Sequence, residues 1–205
     1  KLEASARAVY GADYDCHHGL LEPIPESGVC RIDDGQVIDL AGRALRCVHT
    51  PGHARHHLSV WDARSRSWFA GDTFGISYRE LDSARGAFIV PSTSPVQFDP
   101  VALRASIRRL LAEAPEAVFV THYGRVTGVQ ELGTRLIAQI DGMVDLARRS
   151  NGSPDRHQRL VTGLARKYTA NAQRQGIVDT DEVVRLLEMD IELNAQGLGV
   201  WLDRQ

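Results

Sequence analysis

Three strand-length apolar runs in this chain each end on a residue of metal-ligand type. ALRCVHTPG runs into His53, SWFAG into Asp72 and AVFVT into His122. In a layered α/β protein the ends of neighbouring strands meet at one crevice, and ligands bind there. Two imidazoles and a carboxylate are donors that suit zinc, iron or manganese. A glycine precedes His53 and another precedes Asp72, which frees the backbone to bend so that each side chain reaches one centre. A carboxylate has two oxygens, so Asp72 is the natural ligand to share between two ions. Taken singly, each residue has a plainer role: His122 as an ordinary strand-end histidine, Asp72 as a turn former. The three together, in this order, argue for a site.

The stretch CVHTPGHARHHLSVWD holds four of the eight histidines. His56 and His57 open a strand-like run, where successive side chains point to opposite faces, so at most one of them can turn into any site.

The rest of the chain fits an α/β frame. Residues 1–10 pattern as a short helix, and 11–28 as loop. Gln36–Leu40 and Ala44–His49 read as a hairpin, and His57–Trp61 with Ser67–Ala70 as a second strand pair. Residues 73–98 carry turn formers without a period and read as a long loop over a functional surface. Asp99 then Pro100 is an N-cap with proline at the first helical position. Leu103, Ile107, Leu110, Leu111 and Ala114 recur at helical spacing, as do Leu132, Leu136, Ile140, Met143 and Ala147. Asn151-Gly152-Ser153-Pro154 is the clearest break, followed by a helix over about 154–175. Another starts at Asp179, where Glu182 three residues on makes a capping-box pattern. The expected organisation is therefore an α/β part over 1–150 and a helical extension over 151–205.

Composition narrows the partners. The formal net charge is −2, with no basic stripe for nucleic acid. Three cysteines at irregular spacing make no disulfide framework, which favours a reducing, cytoplasmic setting. No apolar run approaches the roughly 20 residues of a membrane span, so a membrane is not an expected partner. Lys1 opens directly onto helix-like sequence, as if the chain began inside a longer one.

TPGHARHH, FAGDT and VTHYG resemble, in order and context, the later metal-binding motifs of the metallo-β-lactamase fold hydrolases. The likeness extends over roughly residues 29–150 and is nearest to the glyoxalase II-like enzymes; IELNAQGLGVWLDR resembles their helical C-terminal extension. The resemblance implies the second half of an αβ/βα sandwich. It implies two divalent metal ions, zinc before iron or manganese, with His53 on one, Asp72 bridging both and His122 on the second. The family's first motif, HxHxDH, is absent from these 205 residues and is expected on an upstream segment. That segment would be the chain's partner, and without it the chain should lack activity. Hydroxide generated at the metals would attack an ester, thioester, lactone or similar acyl bond. Tyr123 either donates a hydrogen bond to a substrate oxygen or merely packs; His57 either faces substrate or supports the ligands from behind. Thr73 and Phe74 would line the pocket, and the loop over 78–98, with Arg79, Arg85 and Phe88, would select substrate. The last helices either cover the site or pair with a second copy. Two other readings stay open: a mononuclear-iron oxidoreductase of the persulfide dioxygenase kind, and a non-catalytic scaffold of the same fold.

Overall fold

The computed structural model describes residues 3, 7, 11, 14–19, 22–93, 96–122 and 124–205. It divides into two compact units, Lys1–Ile32 and Asp33–Gln205. The first contains helix α1 (Tyr14–His18) and a single 3₁₀ turn at Glu26–Gly28. Arg7 lies over the buried Tyr14 ring, 4.3 Å from its centroid, and pairs with Asp15 at 2.9 Å. The helix expected over 1–10 falls, apart from residues 3 and 7, outside the described residues.

In the second unit, six strands among the described residues form one sheet in sequence order. Strands β1 (Val37–Leu40) and β2 (Arg43–His49) pair antiparallel across Ala41-Gly42. Both turn residues have positive φ, 51° and 81°, the geometry that matches strand twist in a two-residue hairpin. Strand β3 (Leu58–Asp62) pairs with β2 and with β4 (Ser67–Gly71), again antiparallel. Asp62 fastens the β3–β4 turn: its buried carboxylate accepts from Ser65 Oγ, Arg64 N and the Arg43 guanidinium. The chain then leaves through the loop over 72–98, pinched by an Ile76–Val90 bridge, and helix α2 (Pro100–Leu111). The Asp99 carboxylate caps that helix, accepting from Val101 N and Ala102 N at 2.9 and 3.0 Å. Strand β5 (Ala117–Val120) returns parallel to β4, and the short β6 (Gly124–Val126) adds an antiparallel edge.

Helices cover one sheet face. In register, Arg46, Trp61, Trp68 and Val118 form a row on that face. The Trp68 indole donates to Leu110 O at 3.0 Å, so its buried N–H is satisfied. Helix α3 (Val129–Ser150) adds Leu132, Leu136, Ile140, Met143 and Ala147, all buried as their spacing predicts. Helices α4 (Arg156–Arg174), α5 (Thr180–Leu186) and α6 (Glu188–Leu202) follow the turn after Ser150. Their Leu160, Leu164, Ile191 and Leu198 join the same buried cluster as the sheet's tryptophans. The opposite sheet face carries a second row, Cys47, Val60, Phe69 and Phe119. There Phe69 stacks on Phe119 at 4.9 Å and keeps 47% of its surface exposed.

Candidate metal centre

The glycines before His53 and Asp72 have separate reasons to be glycine. Gly52 has φ +133°, and a Cβ there would come within 2.3 Å of the Leu103 backbone on α2. Its carbonyl accepts from Asp99 N at 2.8 Å, so the segment between β2 and β3 is pressed against the start of α2. Gly71, with φ +52°, would put a Cβ 2.4 Å from His57 Nε2. The missing side chain lets the imidazole close in, and Nε2 accepts the Asp72 backbone N–H at 3.0 Å.

The other nitrogen of His57 fixes its tautomer. Nδ1 lies 2.9 Å from Thr50 Oγ1 and 3.0 Å from Thr73 Oγ1. The Thr73 hydroxyl donates its proton to Thr50 O at 3.0 Å, so Nδ1 is the donor and Nε2 the acceptor. Burial, with the His53 ring nearby as the second cause, pushes the His57 pKa down to about 4, which keeps the ring neutral. Both nitrogens are therefore engaged, and His57 holds the Asp72 backbone rather than facing a substrate. His56 is exposed in the turn before β3, so neither it nor His57 opens the strand as the sequence pattern suggested.

The side chains of His53, Asp72 and His122 do converge. Asp72 Oδ2 is 3.7 Å from His53 Nε2, and Oδ1 is 3.4 Å from His122 Nε2. Both separations exceed the roughly 2.7–3.2 Å of an ordinary hydrogen bond. They are close to the ~3.4 Å that separates two donors each about 2.0–2.1 Å from one tetrahedral ion. Asp72 Oδ1 is buried and has no hydrogen-bond partner, an expensive state for a carboxylate oxygen in the absence of a cation. His53 Nδ1 donates to Ser92 O at 3.1 Å, which turns the Nε2 lone pair toward Asp72. Among the described residues no group of three or more His, Cys, Asp or Glu is placed to hold a metal ion. The chemistry of these donors, two imidazoles and a carboxylate, suits a divalent metal, and further ligands would be needed to hold one.

Tyr123 lies outside the described residues. Thr73 and Phe74 are buried in the core. Arg79 ties the loop to Arg125 O at 3.2 Å and pairs with Asp82. Arg85 bonds the Arg174 carbonyl, and Phe88 is buried. These three anchor the loop to the rest of the fold.

The C-terminal helices supply two groups that sequence reading missed. Asn194, buried on α6, accepts from Thr93 N at 2.8 Å and donates to Pro91 O at 3.0 Å and Tyr168 Oη at 2.8 Å. It clamps both sides of Ser92, the residue that holds His53. Asp190 accepts from Tyr78 Oη at 2.8 Å. Burial raises its carboxyl pKa, while that Tyr78 bond and the charge of His122 pull the other way. The pattern DIELN carries neither role visibly, because both are contacts across long sequence separations.

The sequence model of the metallo-beta-lactamase superfamily matches residues 4–122. The chain belongs to this superfamily. Among curated relatives, the superfamily member is 32% identical over 127 residues to the metallo-beta-lactamase fold-containing protein ST1585 of Sulfurisphaera tokodaii. That alignment covers 62% of this chain and 45% of the relative. It is 37% identical over 60 residues to atrochrysone carboxyl ACP thioesterase AgnL7 of Paecilomyces divaricatus, covering 29% of this chain and 19% of that one. The solved structure of ST1585, from Sulfolobus tokodaii, superimposes with a TM-score of 0.60 at 24% identity, over 96% of this chain and 62% of that one. A metallo-beta-lactamase family protein from Thermus thermophilus matches with a TM-score of 0.51 at 18% identity, over 92% of this chain and 61% of that one. These likenesses give the fold. The chain spans less than half the length of the curated relatives it matches.

Proposed function

We propose that this superfamily member supplies His53, Asp72 and His122 to a metal-dependent hydrolase centre of the glyoxalase II-like kind, which cleaves an ester, thioester, lactone or related acyl bond. The observation that carries the reading is the buried, unpartnered Asp72 Oδ1, with one imidazole beside each carboxylate oxygen. Two divalent ions, zinc before iron or manganese, would lower the pKa of a water and polarise the acyl carbonyl. The chain's own part is positional. His53 presents Nε2 because Ser92 holds Nδ1, and Asp72 is aimed because His57 holds its backbone. Tyr123, next to His122, is the proposed donor to the substrate oxygen. The name of the fungal relative, an ACP thioesterase, favours a thioester among the candidate bonds. An upstream segment bearing HxHxDH would complete the shell, and the half-exposed Phe69, stacked on Phe119, is where a second sheet would gain burial. No helix among the described residues is long and apolar enough to cross a membrane, and a cytoplasmic setting rests on the irregularly spaced cysteines.

The test is metal titration of the chain together with an HxHxDH-bearing segment, followed by thioester hydrolysis. Asp72→Ala should lower both occupancies, and more than His53→Ala or His122→Ala, because only the carboxylate reaches toward both histidines. Unchanged stoichiometry in Asp72→Ala would end the proposal; a single iron per chain would favour the oxidoreductase reading instead. In the metal-free chain Asp72→Asn should hold or raise stability by about 1 kcal/mol, since it removes a charge whose buried Oδ1 has no hydrogen bond.

A further inference from the structure

We infer that the cleft between α3 and α4 is a second ligand site, separate from the metal centre, for a small organic anion: a phosphate- or carboxylate-bearing molecule with an apolar body. The cleft has a volume of about 570 Å³, within the roughly 300–1,000 Å³ range of small-molecule sites. One wall is the α3 face with Arg135, Ala138, Gln139 and Gly142; the other is the α4 face with Lys167, Ala170, Asn171 and Arg174. Each set recurs at three- and four-residue spacing, so each is a single stripe of its helix. Small residues open the space. A Cβ on Gly142 would stand 3.0 Å from Lys167 Nζ, so the ammonium lies directly over the glycine. Farther along the helix pair, Gly163 is filled by Leu146, whose carbons would lie 2.5 Å from an added Cβ; the helices close there and part at the cleft.

The charge is one-sided. Arg135, Arg166, Lys167 and Arg174 line the cleft, and no Asp or Glu does so among the described residues. This occurs in a chain whose acidic residues outnumber its basic ones, 26 to 24. Arg135 is paired with Glu131 outside the lining. Arg166, Lys167 and Arg174 have no carboxylate partner among the described residues. Neutral amides also orient two of the cations, and for Arg174 the amide orients without neutralising. Arg174 donates to Asn171 Oδ1 at 2.7 Å, and Arg135 to Gln175 Oε1 at 2.9 Å. Gln175 is itself buried and fixed, donating to Gly86 O and Ala87 O at 2.9 and 2.8 Å. Guanidinium forks so placed suit carboxylate or phosphate oxygens. The floor is apolar, from Phe88, Ile89, Met143 and Tyr168, which calls for a body and not a bare ion.

The probe is 1-naphthyl phosphate, titrated calorimetrically into chelator-treated protein so that the centre at Asp72 cannot hold the phosphate through a metal. One saturable site is expected, weakening severalfold between about 50 and 200 mM salt. Lys167→Met with Arg174→Gln should weaken it by about tenfold or more. Gly142→Leu, which fills the cleft and removes no charged group while shifting the Lys167 ammonium, should abolish it. Arg64→Gln, exposed on the β3–β4 turn, should change nothing. Circular dichroism checks that each variant is folded. Inorganic phosphate should bind more weakly than the naphthyl ester, and equal affinity would overturn the apolar half of the proposal. Absence of saturable binding, or binding that survives both Gly142→Leu and the double charge variant, would overturn it altogether.

Discussion

Gly71 shows how a single missing side chain can set a ligand. An alanine there must adopt a left-handed φ and also displace the His57 ring from the Asp72 N–H. Gly71→Ala should lose about 1–3 kcal/mol by denaturant melt, and the His57 ¹⁵N signals should shift; a wild-type melt with unmoved His57 would contradict this. Asp62 offers a test of a different sort. The Arg43 guanidinium first, then Ser65, hold its carboxyl well below the usual carboxylate range. A lowered folded pKa adds stability above the unfolded value of about 3.9, and that stability drains away as pH falls toward the folded value. Thermal melts from neutral pH downward should therefore show a steeper acid loss in the wild type than in Asp62→Asn. Parallel acid branches would show that the carboxylate is not the responsive group.

At the scale of elements, α6 matters through one amide. Asn194→Ala would strand Thr93 N–H, Pro91 C=O and the Tyr168 hydroxyl, a loss of about 2–4 kcal/mol. It should also let Ser92 drift, so that NMR of His53 changes from one tautomer to a mixture. Lost stability with an unaltered His53 would leave Asn194 without influence on the ligand. The sequence could be read where the signal is local. The strand before Asp72, the Asp99-Pro100 cap and the apolar stripe of α3 appear where their patterns predict, while β2 stops at His49 and β5 at Val120, short of His53 and His122. What stayed hidden depends on distant partners: Asn194 beneath Ser92, Arg85 on the Arg174 carbonyl, and the burial of Phe74 and Phe88. Leu187, buried and with φ −96° and ψ 11°, separates α5 from α6. The stretch has no Gly or Pro to mark that break, so it reads as one helix. β6 is only three residues long, too short for a period.

For the molecule as a whole, the sheet has two unlike faces: helices fill one, and the stacked Phe69 and Phe119 mark the other. The one parallel pairing among the described strands, β4 beside β5, has a kinetic consequence. His53, His57 and Asp72 are gathered by neighbouring antiparallel strands, so their part of the centre needs only short loops to close. His122 arrives only after the chain has travelled through the 72–98 loop and α2 and back. Closing that longer circuit is entropically slower, so the centre should assemble in two stages. Pulse-labelled hydrogen exchange during refolding should protect β2, β3 and β4 amides before those of β5. Simultaneous protection would mean that the crossover is already formed in the rate-limiting step. If the order holds, a newly folding chain can acquire its first histidine–carboxylate pair well before its second, and a cation captured early would enter a half-built centre.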